Sequence, residues 1–536
     1  MLVDLEHYDG PEQIDADTCV VGGGAAGVAL TRQLIAEGKQ VCLLEAGGSD
    51  FEDATQDLYE GDNLGMPYYP VRESRLRFFG GTTNIWGGRC VPMQPMDFER
   101  RAWVPHSGWP IGIDDLEPHY LRAHKRLDLG EYVYDDRLWQ RSRHKAPEFS
   151  PELFNTLFWR FDQKNERFGR GLLEELARSP NCRCVLHANV THIQAATSAT
   201  GVEYLRAQSL TGKRVRVRAD NYVLACGAIE NARLMLSSND VQSNGIGNDQ
   251  DQVGRYFMEH PHARFATLDT GNEKRARAAA FALWRAYTKQ FSRVPIAPLV
   301  VPSPQLQQRE QLLNTGFTFK LQRPPERGAP LNRRLYLSLK HELNPTSRGR
   351  AMWRLYRSGK TVLQRTVRHR FEQARVSLGQ TGLHVMARAE QAPNPASRVQ
   401  LSSQRDALGQ PLADLNWQLG ELDKQTLVGL SRVLRAEMGR MGLGELNASP
   451  WLSEAGLQWP VDNSIGNHPI GGYHHMGTTR MSTDPARGVV DADCRVHGYR
   501  NLYVAGSSVF TTGGWANPTL TLLALTDRLG GHLLSR

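Results

Sequence analysis

The sequence is short of cysteine, of long apolar runs and of charge of one sign. Its seven cysteines, at 19, 42, 90, 182, 184, 226 and 494, are an odd number in 536 residues and include no Cys-x-x-Cys pair. That excludes a disulfide-stapled framework and a zinc ribbon, and it points to reduced thiols in a cytoplasmic protein. No window reaches eighteen apolar residues; the best, LTLLALTDRLGGHLL near the carboxyl end, is broken by Asp527 and Arg528. It reads as a buried or amphipathic helix, not a membrane span. The first twenty residues carry six acidic side chains and no basic or apolar leader region, so no secretory signal is expected. A net charge of +8, from 64 Lys plus Arg against 56 Asp plus Glu, is too mild at this length to argue for nucleic acid. Internal repeats and low-complexity linkers are also missing, so nothing separates the chain into independent halves.

What is present is a globular composition, with 40% hydrophobic and 22% charged residues. The chain is about four times the modal domain size and can bury a large core, which suggests two domains sharing one site. Thr18 to Val21 form an apolar run that predicts a strand leading into GGGAAG. Gly22, Gly24 and Gly27 hold the GxGxxG spacing, and a helix follows through Val28, Leu30, Leu34 and Ile35 to a stop at Gly38. The next strand, Gln40 to Leu44, ends in Glu45, twenty-one residues after Gly24. The first glycine permits the tight turn, the second lets a pyrophosphate approach the backbone, and the third lets helix and strand pack closely. The helix N-terminus favours the phosphates, and the acid suits an unphosphorylated ribose, hence NAD or FAD over NADP. An ordinary strand-turn-helix connection is the bland alternative, but strand, helix and distal acid all sit where a dinucleotide needs them.

Further motifs are RFFGGTTNIWGG at 77–88, YVLACGAIENARLML and GRYFMEHP between His187 and Pro261, and GGYHHMGTTRM, NLYVAGSS and ANPTLT in the last seventy residues. In this order they resemble the glucose-methanol-choline family of FAD-dependent oxidoreductases, with likeness to its pyranose oxidase and sugar dehydrogenase branch. The resemblance implies an α/β fold with a Rossmann-type FAD domain of discontinuous segments, 1–90, 185–260 and 465–536. A connecting and cofactor-covering segment, 91–184, and an α+β substrate domain, 261–464, complete it. It also implies that Gly80, Gly81, Thr82 and Thr83 lie against the cofactor, where glycine lets backbone amides approach. The other implied cofactor positions are Ala25, Ala26, Ala46, Asn84, Trp86, Gly87, Val190, Ala225, Gly506, Ser507, Asn517, Pro518 and Thr519. Ile85 stands where pyranose oxidases attach flavin through His, so the resemblance implies dissociable FAD. Related dehydrogenases work beside iron-sulfur clusters, but Cys182-Arg183-Cys184 lacks four thiolates at cluster spacing. Electrons are then expected to pass to oxygen or to a diffusible acceptor.

Oxidising an alcohol needs a base for the hydroxyl proton, and histidine suits that work near neutral pH. The family position three before Gly477 selects His474 over His475, and Asn517 before Pro518 is the implied hydrogen-bonding partner. His475, adjacent on the chain, is expected to point the other way and to be structural. His260 fits the family motif and a turn before Pro261 equally, and it stays outside the catalytic pair. The implied function is oxidation of CH–OH to a carbonyl, on a sugar, glycoside or polyol. The alternatives are an FAD-containing lyase and a protein that keeps flavin structurally.

DDLEPHYLRAHKRL from Asp114 predicts a helix whose acidic start suits its positive end. Between Lys320 and Arg375 fifteen basic residues meet three Glu, and RGRAMWRLYRSGKTVLQRTVRHRFEQAR predicts an amphipathic basic helix. A solvated face is the bland reading; a peripheral membrane or protein contact is the sharper one. Deleting residues 348–375 separates them, because unchanged vesicle binding eliminates the second.

Overall fold

The computed structural model describes residues 1–141, 148–164, 166–271, 273–290, 293–321, 346–363, 369–378, 382–461 and 469–536. Strand β2 (Gln13–Val21) ends in Cys19, Val20 and Val21, all buried. It lies parallel between β3 (Val41–Leu44) and β9 (Arg214–Leu224). All four residues of β3 are buried, as expected of a central parallel strand covered on both faces. The sheet continues from β3 through parallel β6 (Cys182–Leu186) to β1 (Leu2–Asp4). On the other side β9 meets antiparallel β8 (Val202–Gln208), which pairs with β7 (Asn189–Ala195), while β17 (Leu502–Val504) adds parallel to β9. The sequence of β9 shows why: its first half alternates exposed Arg with buried Val, and its last three residues are wholly buried.

A second sheet is antiparallel throughout. Its order is β16 (Glu445–Ala448), β10 (His262–Asp269), β13 (Leu383–Arg388), β12 (Gly316–Leu321), β11 (Ile296–Pro302), β5 (Phe154–Phe161) and β4 (Arg89–Cys90). A separate ribbon pairs β14 (Arg398–Arg405) with β15 (Pro411–Asn416). The protein is thus α/β, a parallel sheet carrying the glycine turn beside a second sheet. The strand from the 91–184 segment, β5, lies inside the second sheet instead of merely connecting, and β4 belongs there too.

The predicted helices form as Ala25–Ala36 and Ile113–Arg126, the latter entered by a box in which Asp115 Oδ2 accepts from Gly112 N at 2.8 Å. The terminal apolar run is the helix Pro518–Leu534, packed on both of them. Its interrupting Asp527 is buried and held by His119 at 2.8 Å, Arg122 at 2.6 Å and Arg126 at 2.8 Å. The polar break is therefore ion-paired where it is buried.

Among its described residues the basic stretch is helical over Ser347–Leu363 and His369–Ser377, as the sequence predicts. The rest of the 320–375 segment, 322–345 and 364–368, lies outside the described residues. Arg350 pairs with Asp50 at 2.7 Å and Glu166 at 2.8 Å, and Arg354 with Glu166 at 2.8 Å, while Met352, Leu355 and Val362 are exposed. Among the described residues no helix is long and apolar enough to cross a membrane.

Candidate active site

A cavity of about 660 Å³ draws its wall from both sheets. The parallel sheet and its connections contribute Gly22, Gly24, Ala25, Ala26, Glu45, Ala46, Val190 and Ala225. The loop before β4 contributes Gly80, Gly81, Thr82, Thr83, Ile85, Trp86 and Gly87, and the carboxyl-terminal segment Gly506, Ser507, Asn517, Pro518 and Thr519. Two predicted contact residues do not line it. Gly27 faces the strand instead, where a Cβ would overlap the Gly22 carbonyl oxygen. The Asn84 side chain donates to the carbonyls of Phe79 at 2.9 Å and Gly81 at 3.0 Å, so it staples the loop from behind.

The wall has the form of a dinucleotide cradle. A Cβ at Gly24, Gly227 or Gly506 would meet nothing within 4 Å, so the backbone there faces open space. Three helices begin at this cavity, at Gly24, Gly227 and Asn517, and none has a side-chain cap. Their free N–H groups and positive ends suit phosphate and other electron-rich groups. Glu45 is buried, and its carboxylate accepts from Gly23 N at 2.8 Å and Gly47 N at 2.9 Å, while burial raises its pKa. Arg75 and Arg77 also line the cavity, and both pair with Glu230, at 2.7 and 3.2 Å. Burial pushes Glu230 up and the three guanidiniums of Arg233, Arg75 and Arg77 outweigh it, leaving its pKa at about 2. These residues fit a bound dinucleotide.

His474 and Asn517, 43 residues apart, meet here: Asn517 Nδ2 lies 3.1 Å from His474 Nε2. His474 Nδ1 lies 2.7 Å from His260 Nδ1. On its far side the His260 ring has only carbonyls, with Nε2 2.8 Å from Gly514 O and 3.4 Å from Gly513 O. Carbonyls accept, so His260 Nε2 carries the hydrogen. Burial lowers the His260 pKa to about 4, so the ring is neutral near pH 7 and its Nδ1 is bare. His474 must then donate from Nδ1, which leaves the lone pair on its Nε2. Burial, followed by the neighbouring His260 and His262 rings, holds His474 well below the usual histidine range.

The backbone of this segment is held by Glu259. Its carboxylate accepts from the amides of His474 at 2.5 Å, Gly472 at 2.9 Å and His260 at 3.0 Å. Burial raises it to about 7 against the pull of those amides. His475 was expected to turn away, yet it also lines the cavity, with Nε2 3.0 Å from Tyr68 Oη. Glu259 and His260 are what the sequence reading left out of the site; the adjacent acid and histidine before Pro261 were the available signal. Arg89, directly after WGG, and Arg388 also line the cavity, and nothing in the sequence around Arg388 marked it. Cys182 and Cys184 place their sulfurs 3.5 Å apart on β6, away from this wall.

Residues 393–526 match a family profile described as GMC oxidoreductase, and residues 17–243 match one described as FAD dependent oxidoreductase. The chain is 26% identical to 6'''-hydroxyparomomycin C oxidase of Streptomyces lividus, over 97% of this chain and 92% of that protein. It is 25% identical to paromamine 6'-oxidase of Streptomyces fradiae, over 99% and 95%. Its fold is similar to that of formate oxidase from Aspergillus oryzae, with a TM-score of 0.52 at 15% identity, covering 98% and 99% of the two chains. Both sequence relatives are oxidases by name, and the lyase alternative gains no support from them.

Proposed function

We propose that the chain, an FAD-dependent oxidoreductase, is a member of the glucose-methanol-choline family and oxidises a sugar, glycoside or polyol-like alcohol with His474 as base. The observation that carries this reading is the lone pair of His474 Nε2 beside the Asn517 amide on the cavity wall. FAD, when bound, supplies the hydride acceptor for the substrate C–H bond. The chain's own part is to prepare that bond. His474 Nε2 takes the hydroxyl proton, and its depressed pKa keeps it unprotonated at neutral pH. Asn517 Nδ2 donates to the oxygen as negative charge grows there.

In this reading Gly22, Gly24, Ala25 and Ala26 hold the cofactor phosphates, Glu45 and Ala46 a ribose, and Val190 and Ala225 the neighbouring wall. Gly80 to Thr83, Trp86, Gly87, Gly506, Ser507 and Asn517 to Thr519 enclose the remainder, with Gly27 and Asn84 supporting from outside. Ile85 offers no nucleophile, which favours non-covalent FAD. The sugar assignment is supported by the two relatives' names. Oxygen or a diffusible acceptor takes the electrons. We assign the protein to the cytoplasm, and the outward Met352, Leu355 and Val362 support a peripheral membrane or protein contact.

The test is an anaerobic absorbance titration of the purified protein with sugars, glycosides and polyols. A substrate bleaches the flavin band, and readmitted air shows whether oxygen is the acceptor. His474→Ala slows that reduction by about a hundredfold or more while FAD stays bound. Undiminished reduction in the variant overturns the assignment of the base.

A further inference from the structure

The antiparallel sheet brings two guanidinium groups to the cavity. Arg388, the last residue of β13, and Arg89, the first of β4, both line it. Their Cζ atoms lie 5.0 and 5.8 Å from the same indole centroid, that of Trp159 on β5. Arg388 stands in register with His262 on one neighbouring strand and Gly316 on the other, and His262 lines the cavity as well. Arg89 and His262 both act on the charge of His474, which places this corner at the base and away from the glycine turn.

The other cavity guanidiniums, Arg75 and Arg77, have Glu230 as a counterion. Arg388 differs. Among the described residues no carboxylate lies within ion-pair distance of it, and its one side-chain hydrogen bond is long, Nη1 donating to Thr318 Oγ1 at 3.4 Å. Burial, with the Arg89 charge added, pushes its pKa down to about 9. A half-buried cation facing a second cation, with no carboxylate in ion-pair reach of Arg388 among the described residues, is costly unless an anion arrives with a ligand. A guanidinium fork matches carboxylate and phosphate oxygens two at a time. The cofactor phosphates have their own place, at the uncapped helix ends by Gly24 and Gly227.

We propose that Arg388, with Arg89 beside it, binds an oxyanion on the alcohol substrate, so that the substrate is an acidic hydroxy compound of the sugar-acid or sugar-phosphate class. This rests on the reading of the cavity as an alcohol-oxidising site. The anion fixes one end of the molecule on the antiparallel sheet while the hydroxyl to be oxidised lies at His474 Nε2.

Matched sets test it: glucose, glucuronate and glucose 6-phosphate, and the corresponding galactose compounds. Each is titrated into the FAD-loaded protein, and binding is read from perturbation of the flavin spectrum and by calorimetry, separately from turnover. The anionic members bind at least about tenfold tighter than the neutral sugar, and added salt weakens them. Carboxylate and phosphate arms show which oxyanion fits. Arg388→Met removes the preference, and Arg388→Lys, which keeps charge but not the fork, retains part of it. FAD content and melting temperature check that both variants fold. Equal binding of neutral and anionic members, or an undiminished preference in folded Arg388→Met, overturns the proposal. Arg388-dependent anion binding without flavin bleaching would sink the oxidation reading alone; bleaching indifferent to charge would sink only this one.

Discussion

The His260 ring is held between the carbonyls of Gly513 and Gly514 and the ring of His474, so its proton position dictates the tautomer of its neighbour. In the proposed reaction it is a positioning residue, since it meets the substrate's site only through His474. Replacing it by Leu removes the acceptor for His474 Nδ1–H, and with it the contact that keeps the lone pair on Nε2. The expected outcome for His260→Leu is a fall in kcat of about ten- to a hundredfold, with FAD retained. In the wild type the acid limb of kcat/KM lies well below pH 6.5; in the variant it moves lower still, because protonated His474 loses the acceptor that stabilises its Nδ1–H. His260→Asn restores an acceptor and recovers much of the rate. An unmoved pH profile, or equal rates in Leu and Asn variants, refutes this role. His474 and Asn517 were indicated by the family resemblance, through their positions before Gly477 and Pro518, and the structure brings the two side chains together. The His260 contact was not indicated, because no local pattern says that residues 214 apart share a hydrogen bond.

At the scale of the element, Ser347–Leu363 inverts the usual surface helix. Most such helices bury an apolar stripe and expose charge; this one buries Arg350 against Asp50 and Glu166, pairs half-exposed Arg354 with Glu166 and leaves Leu355 76% exposed. Trp353, on the same helix, lines the cavity, so ion pairs hold the helix over the site. Its helical period was readable in the sequence. Which face would be inward was not, because the deciding partners, Asp50 and Glu166, are remote in the chain. Glu166→Gln removes two of the three pairs, a loss of about 1–2 kcal/mol in the docking of this helix. Limited proteolysis within 347–363 then accelerates, KM rises several-fold, and high salt gives the wild type the same behaviour. Cleavage rates that match the wild type at low salt would show that the pairs do not hold the helix.

Taken whole, the molecule is joined between remote segments by polar groups that are almost wholly dry. Arg101 and Glu390 are 1% and 0% exposed and bond twice, at 2.8 and 2.5 Å. Glu390 also accepts from Asn314 N at 2.8 Å, and Asn314 Nδ2 donates to Asp97 Oδ1 at 2.8 Å. The Asp97 carbonyl accepts from Thr512 Oγ1, and Thr512 receives the indole N–H of Trp109 at 2.8 Å. One network therefore ties the segment after β4 to the second sheet and to the carboxyl-terminal segment that carries Asn517. The strand-turn-helix unit was readable from its first fifty residues because everything it needs is local. The gathering of the sheets was not, since β1 pairs with β6 across 182 residues and β2 with β9 across 203. Arg101→Met strands the Glu390 carboxylate in the interior and should destabilise the fold by about 3–5 kcal/mol. Arg101→Met with Glu390→Leu removes both charges and should recover most of that loss, because two paired ions cost nearly as much to bury as they return. Thermal and urea unfolding of the FAD-loaded proteins measures both. A double variant no more stable than the single would mean that the pair contributes beyond mutual neutralisation, through the amide of Asn314 that Glu390 also holds.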